Sequence, residues 1–283
     1  MKRKVVYAVD GSARHGVALL TSVRSLRRWS QLAVEVHLFG PVPKELMDAL
    51  TQLDVQLIAG TARRGLPQTA LKWEALATAG NVDEVLFADT DTYFLRAAEL
   101  LFENTTGVFC ARREVGTTAK PHWCGGTRMN PQLHQRQLTY IFQGLRIPKA
   151  PIFNTGLMLV RCPLLASMGQ VVDKIAFFCG AFERDEIPYP SPNKHIAEEI
   201  AATLALAHLP DFSWSLLTDE AAPFFLEFRN SATTRAIALH IWTMYYGDFL
   251  REYLSADAEQ IYRRLRKADT PEEFRAALAR WSY

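Results

Sequence analysis

Short apolar runs alternate with stretches of helical periodicity through the first third of the chain. Val5-Val6-Tyr7-Ala8-Val9 is a run of the kind that fills a strand buried on both faces, and it ends in Asp10-Gly11-Ser12. Val17, Leu20, Val23, Leu26 and Trp29 then recur at helical spacing. Leu32 to Phe39 alternates through Val34, Val36 and Leu38 as a second strand. Pro43 suits the first turn of a helix whose apolar face is Leu46, Met47, Leu50 and Leu53. A third strand spans Val55 to Ala59, and a helix spans Pro67 to Ala79 with Leu71, Ala75, Leu76 and Ala79 inward. Val85 to Ala88 is the fourth strand; it stops abruptly at Asp89-Thr90-Asp91, and Tyr93, Phe94 and Leu95 follow at once. Strand–helix alternation at this spacing predicts βαβ units and a mainly parallel, right-handed wound α/β sheet.

The pattern then loosens. Gly107 to Ala111 reads as a strand, residues 112–130 as a long loop, and Ile152 to Arg161 as a strand whose Gly156 permits close approach of a ligand to the backbone. Helices are expected over 163–178 and 195–208, and a late strand over Ala236 to Trp242 carries His240. The tail is helical, and Thr270-Pro271-Glu272-Glu273 is a capping box with proline at the first helical position. With no repeat, low-complexity tract or linker, the expectation is one domain over 1–250 with a helical C-terminal appendage over 251–283.

At 283 residues, 49% apolar and 22% charged, the chain has the composition of an ordinary globule with a sizeable core. A net charge of +2 announces neither a nucleic-acid nor a membrane partner. No 18-residue apolar stretch and no signal-peptide core occur, and Cys110, Cys124, Cys162 and Cys179 show no Cys-x-x-Cys spacing. Reduced thiols, a cytoplasmic location and no membrane span are therefore expected.

The candidate chemistry sits at Asp89-Thr90-Asp91. Carboxylates at the carboxyl end of a buried strand stand at the rim where open α/β sheets bind ligands. Two of them two residues apart repel unless a cation or donor lies between, so a divalent metal with oxygen ligands is one reading and a polar turn is the other.

Four features fall in one order along the chain: Asp10-Gly11-Ser12, Asp89-Thr90-Asp91, Phe153-Asn154-Thr155-Gly156-Leu157 and Leu239-His240. In this order, over about residues 4–245, the chain resembles the nucleotide-sugar glycosyltransferases of GT-A (Rossmann-like) fold. It looks most like the group containing glycogenin and the bacterial lipopolysaccharide galactosyl- and glucosyltransferases. Thr69-Ala70-Leu71-Lys72-Trp73 is similar to that group's Thr-Lys-Leu stretch. The resemblance implies a hexose moved from a UDP-sugar to an acceptor hydroxyl, retention of configuration somewhat favoured, with Mn²⁺ or Mg²⁺ as cofactor. Asp10, Gly11 and Ser12 would contact uracil or ribose, and Lys72 the donor. Asp91 would ligate the metal, Asp89 would be shared between metal and ribose, and His240 would complete the shell. Asn154 and Gly156 match the loop beside the donor sugar. Glu198 and Glu199 match the acidic or amide position facing the acceptor, and with Asn154 they are the catalytic candidates. The acceptor class stays open among saccharide, glycolipid, protein and modified nucleic acid.

The chain departs from the group after the histidine. His240-Ile241-Trp242-Thr243-Met244-Tyr245 stands where a Lys-Pro-Trp lysine grips the diphosphate, so Lys72 or Arg251 is expected to serve instead. The metal shell can close only if the strand at residue 240 lies beside the chain leaving Asp91. Each residue also has a plain role: His240 as a core histidine, Glu198 and Glu199 as first-turn charges, Lys72 as a surface lysine, and Asn154 to Gly156 as a bulge. His122 and Trp123 could stack on a sugar or pack beneath the loop. Two other classes compete. Asp89-Thr90-Asp91-Thr92 also fits the Asp-x-Asp-x-Thr of haloacid-dehalogenase-type phosphatases, and a sugar-nucleotide- or glycan-binding protein without turnover would share the same fold. A nicotinamide dehydrogenase is disfavoured because no Gly-x-Gly-x-x-Gly follows a strand.

Overall fold

The structure is a computed structural model describing residues 1–63, 65–114, 122–124, 127–129, 131–187, 197–230, 235–242, 245–268 and 270–283. For residues 13–14, 122–124, 127–129 and 131–137 it describes the backbone alone. The first half runs β1 (Arg3–Val9), α1 (Ala13–Arg27), β2 (Ala33–Leu38), α2 (Lys44–Thr51), β3 (Val55–Ala59), α3 (Leu71–Ala77), β4 (Glu84–Ala88), β5 (Thr92–Phe94) and α4 (Glu99–Glu103). It continues through β6 (Phe109–Arg113), β7 (His122–Cys124), β8 (Thr127–Met129), α5 (Pro131–Leu145), β9 (Phe153–Arg161), α6 (Cys162–Ala166) and α7 (Met168–Glu183). Then follow α8 (Ala197–Ala207), β10 (Trp214–Leu216), α9 (Phe225–Arg229), β11 (Ala238–His240), α10 (Tyr246–Phe249), α11 (Ala256–Lys267) and α12 (Pro271–Leu278).

A seven-stranded sheet in the order β10-β6-β9-β4-β1-β2-β3 forms the centre. All its pairings are parallel except those of β9, which runs against both β4 and β6. Side chains alternate across the strands, so each strand feeds two cores. Val5, Tyr7, Val9, Leu86 and Leu159 pack on the side of α1, α2, α11 and α12. Val6, Val85, Phe87, Met158 and Val160 pack on the side of α3, α7 and α8. The near-continuous apolar runs follow from this two-sided burial. Strand order reverses between β2-β1 and β1-β4, and the crevice beyond the carboxyl ends of β1 and β4 is where such sheets take ligands.

A two-stranded ribbon stands off the main sheet: β11 pairs antiparallel with β5, setting His240 opposite Thr92. The Ile241 N–H donates to Asp91 O at 3.1 Å, and the Phe94 N–H donates to Ser25 Oγ at 2.9 Å, tying the ribbon to α1. The late strand therefore lies beside the chain leaving Asp91.

Three expectations need correction. Residues 112–130 are not a continuous loop, since Arg112 and Arg113 extend β6 and a short hairpin (β7, β8) follows. Two adjacent arginines do not read as a strand, but Arg112 is buried against its own counter-charges. Helix α5 has no counterpart in the expected elements, although Leu138, Ile141 and Phe142 give it a buried face after a proline start. Trp29 is not on the inner face of α1, which ends at Arg27, and it is 55% exposed. The cysteines described, Cys110, Cys162 and Cys179, are free thiols.

The C-terminal helices share the first core. Ile261, Tyr262, Leu265, Phe274, Leu278 and Trp281 join it, and Arg24 of α1 donates to Trp281 O at 2.7 Å and Tyr283 O at 3.0 Å. Thr270 caps α12 by accepting from the Glu273 N–H at 3.2 Å. Because Leu265 is 1% exposed, Leu265→Ala should lower stability by about 2–5 kcal/mol in a single transition followed by circular dichroism. A separate early melting of residues 251–283 would show that the tail is an independent unit.

Candidate active site

Asp10 follows β1 in a tight turn. Gly11 has φ +86°, and a Cβ there would stand 2.5 Å from Pro41 O, so glycine lets this turn pack on the next one. Ser12 caps α1, accepting from the His15 N–H at 3.3 Å. Asp10 Oδ1 accepts from the Ser12 N–H at 3.0 Å and faces His15 Nδ1 at 3.0 Å, while Gln68 Nε2 donates to Oδ2. Burial works against its charge, but the Ser12 amide and His15 more than compensate and hold its carboxyl below the usual range.

From Asp10 a cleft of about 450 Å³ runs past Gln68, Thr69 and Lys72 to Asp89, Thr90 and Asp91. Its size suits a small-molecule site. Asp89 is anchored through its backbone, its N–H donating to Gly156 O of β9 at 2.7 Å and its carbonyl accepting from the Thr92 N–H at 3.0 Å. His240 enters from the ribbon, where Nε2 lies 3.4 Å from Asp91 Oδ1 and 3.9 Å from Asp89 Oδ2. A Cβ on Gly156 would stand 2.2–2.6 Å from the imidazole, so what approaches this glycine is His240.

Asn154 orients the ring. Its Nδ2 donates to Glu114 Oε2 at 2.9 Å and to Glu199 Oε1 at 3.0 Å, which leaves Oδ1 to face His240 Nδ1 at 3.0 Å. Nδ1–H therefore donates to Asn154, and Nε2 points at the two aspartates. Burial opposes a charge on His240, but the Asp91 hydrogen bond and the charges of Asp91 and Asp89 outweigh it and raise its pKa. One nitrogen and two carboxylate oxygens lie within 4.8 Å of one another. Ligands held about 2.1 Å from an ion stand about 3.0 Å apart when adjacent and about 4.2 Å when opposite, and the 3.4 and 3.9 Å from His240 Nε2 to the two aspartates fall between these values. The mixed imidazole and carboxylate donors are ones that a divalent cation can take.

Lys72 lies beneath the pair. Nζ donates to Thr155 Oγ1 at 2.9 Å and stands 3.5 Å from Asp89 and 3.6 Å from Glu198. Burial opposes its charge, yet Asp89, Glu198 and Glu199 outweigh burial and hold its pKa above the usual lysine value. Glu198 is 3% exposed with both oxygens engaged: Trp73 Nε1 donates to Oε1, and Thr155 Oγ1 to Oε2 at 3.0 Å. Its pKa is raised by burial against the opposing pull of Lys72. Glu199 has one oxygen on Asn154, and its other, Oε2, has no partner among the described residues. Burial first, then the neighbouring charges of Glu114 and Glu198, push its pKa well above the carboxylate range. Arg251 pairs instead with Asp248 at 2.8 Å and Glu259 at 3.8 Å.

Asp10, Lys72, Asp89 and Asp91 thus line one cleft, with His240, Asn154 and Gly156 behind the aspartates and Glu198 and Glu199 buried beneath Lys72 and Asn154. The side chains of His122 and Trp123 lie outside what is described. Sequence reasoning passed over Glu114, Thr155, Trp73, His15 and Gln68. His15, a turn beyond the Ser12 cap, and Trp73, beside Lys72, carried a positional signal; Glu114 carried none.

The sequence matches no family profile and no curated protein. Solved structures do match. The galactosyltransferase LgtC in complex with donor and acceptor sugar analogues is similar at a TM-score of 0.58 and 13% identity, over 97% of this chain and 99% of that one. The bifunctional glycosyltransferase WbbM gives 0.57 at 11% identity, over 94% of this chain and 52% of that one. The glycosyltransferase GlyE of Streptococcus pneumoniae TIGR4 gives 0.56 at 15% identity, over 99% and 64% respectively. The chain thus spans about half the length of WbbM and somewhat under two thirds of GlyE. At these identities the likeness is one of fold: the chain has the GT-A, Rossmann-like α/β architecture with a helical C-terminal region. Among the described residues no helix is long and apolar enough to cross a membrane.

The buried carboxyl of Glu199 sets a pH dependence. A folded-state pKa above the unfolded one makes a contribution that is complete below the unfolded value, near 4.3, and is lost as pH rises through the folded value. Glu199→Gln removes that loss, so its melting temperature should exceed that of the parent at pH 8 by a few degrees, with the gap closing toward pH 4. A gap that is flat with pH would place the titration elsewhere. Gly156→Ala should displace the imidazole and weaken Mn²⁺ uptake roughly ten-fold or more in a paramagnetic resonance titration.

Proposed function

We propose that the protein is a metal-dependent glycosyltransferase that moves a hexose from a UDP-sugar to an acceptor hydroxyl. The observation that carries this reading is the meeting of Asp89, Asp91 and His240, from β4's end and a separate ribbon, at the switch point of a GT-A sheet. Neighbours of the same fold are glycosyltransferases, one of them solved with donor and acceptor sugar analogues.

The cleft has two ends suited to the two parts of such a donor. At one, Asp10 is held ionised by Ser12 and His15 and offers a fixed acceptor to the uracil or ribose. At the other, Asp89, Asp91 and His240 would hold Mn²⁺ or Mg²⁺. The ion, when bound, supplies positive charge where the departing diphosphate accumulates negative charge. Lys72 adds a buried, permanently charged ammonium beside Asp89, and it takes the role left vacant by the missing Lys-Pro-Trp lysine.

Neither glutamate behaves as a free base. Both oxygens of Glu198 are engaged, so it orients Lys72 through Thr155 and by its own charge. Glu199 is buried with its pKa raised, and it holds Asn154 against His240. With neither glutamate placed as a free base, the acceptor proton would pass to the leaving phosphate, a route that goes with retention of configuration.

The test is release of UDP from UDP-glucose and UDP-galactose with Mn²⁺ present. Activity should disappear with EDTA and return with Mn²⁺. Asp91→Ala, Asp89→Ala and His240→Ala should each lower turnover by roughly 100-fold or more while the circular dichroism spectrum stays unchanged. Hydrolysis of a phosphomonoester that depends on Asp89 would point to the phosphatase class. Tight sugar-nucleotide binding with no turnover under any acceptor tried would point to a binding protein.

A further inference from the structure

Two routes lead to His240 from the end of β6. The register of β6 against β9 shifts between Ala111 and Arg112, a bulge that re-aims the side chains beyond it. Arg112 lies near the end of β6 and Glu114 just beyond it. Glu114 takes the route already described, through Asn154 to the imidazole Nδ1. Arg112 takes another. Its Nη1 donates to Ala222 O at 3.1 Å and Glu227 Oε2 at 2.7 Å, and its Nη2 to Asp219 Oδ1 at 2.7 Å. Its guanidinium lies 4.3 Å over the Phe224 ring. The same Glu227 oxygen accepts from the Phe224 N–H at 3.0 Å. Phe224 in turn forms a β-bridge with His240 and sets its ring 5.8 Å from the imidazole, while the His240 N–H donates to Pro223 O at 3.3 Å.

We propose that Arg112 is a positioning residue for His240: it holds the 219–227 turn and the Phe224 ring as a wall that fixes where the imidazole meets the metal. This rests on the metal-site reading of Asp89, Asp91 and His240. A purely structural account of Arg112 is weak. The Arg112 side chain is 8% exposed, its Nε has no partner among the described residues, and its counter-charges Asp219 and Glu227 are 83% and 42% exposed. Such an arrangement costs desolvation that solvent-screened partners repay poorly, and an apolar side chain would fill the space at lower cost. What arginine alone provides is a flat fork that grips three residues, Asp219, Ala222 and Glu227, while lying on an aromatic face.

The experiment is a paramagnetic resonance titration of the full chain with Mn²⁺ alone, folding being checked by circular dichroism. Arg112→Gln should weaken Mn²⁺ binding about ten-fold or more, and Arg112→Lys should not restore it, since an ammonium cannot span the three acceptors. Phe224→Leu, which keeps an apolar side chain and removes the aromatic wall, should weaken it likewise, and it decides alone if Arg112→Gln does not fold. In a His240→Ala background Arg112→Gln should change Mn²⁺ affinity no further, because the effect runs through the imidazole. An equal loss in both backgrounds, or a folded Arg112→Gln with parental affinity, overturns the inference while the metal site stands. Absence of Mn²⁺ uptake by the parent protein overturns the site and the inference together.

Discussion

Negative charge crowded into one dry region is the constraint on which the rest of this molecule depends. Asp91, Glu114, Glu198 and Glu199 are all buried, and Asp89 stands against them. So many ionised carboxyls cannot share a low-dielectric space uncompensated. The compensation is divided. Lys72 serves Asp89 and Glu198, the Glu199 carboxyl has its pKa raised, and the Asn154 amide serves Glu114 and Glu199 together. What remains is the pair Asp89 and Asp91 with the imidazole Nε2 directed at them, a donor set that could hold a divalent cation.

The topology makes that division possible. Reversal of strand order about β1 opens the crevice, and β4 delivers Asp89 to its rim. Antiparallel β9 then brings Asn154, Thr155 and Gly156 to the same rim from the opposite direction. A parallel strand in that position would arrive by its carboxyl end, and the residues beside Asp89 would be those leaving a strand. The β5–β11 ribbon adds a second layer above the sheet and carries His240 over Gly156, where any side chain would collide with the ring. Rigid elements therefore hold every group of the candidate metal centre.

Much of the scaffold was legible along the chain because two-sided burial writes itself as uninterrupted apolar runs. The strands at residues 5–9, 55–59 and 85–88 and the helix capped at Thr270 stand where pattern and capping chemistry put them. The stretch after residue 111 was not legible, because Arg112 and Arg113 look like a surface loop until the burial of Arg112 is seen. Helix α5 was passed over for a related reason: its apolar positions follow a polar segment that masks where the periodicity begins.

The sequence by itself determined the two-sided sheet, the position of Asp89 and Asp91 at the end of a buried strand, and the identity of the late histidine as a possible partner. The first two follow from local periodicity and the chemistry of single side chains, and the histidine from the resemblance in motif order. Only the tertiary structure decided that His240 meets those aspartates, that Gly156 makes room for its ring, and that Glu198 and Glu199 turn inward toward Lys72 and Asn154. Each of these is a contact between residues separated by 45 to 151 positions in the chain, with Asn154 to Glu199 and Asp89 to His240 as the extremes of the group. Local propensity carries no record of such distances; they are fixed by which strands pair and in which direction.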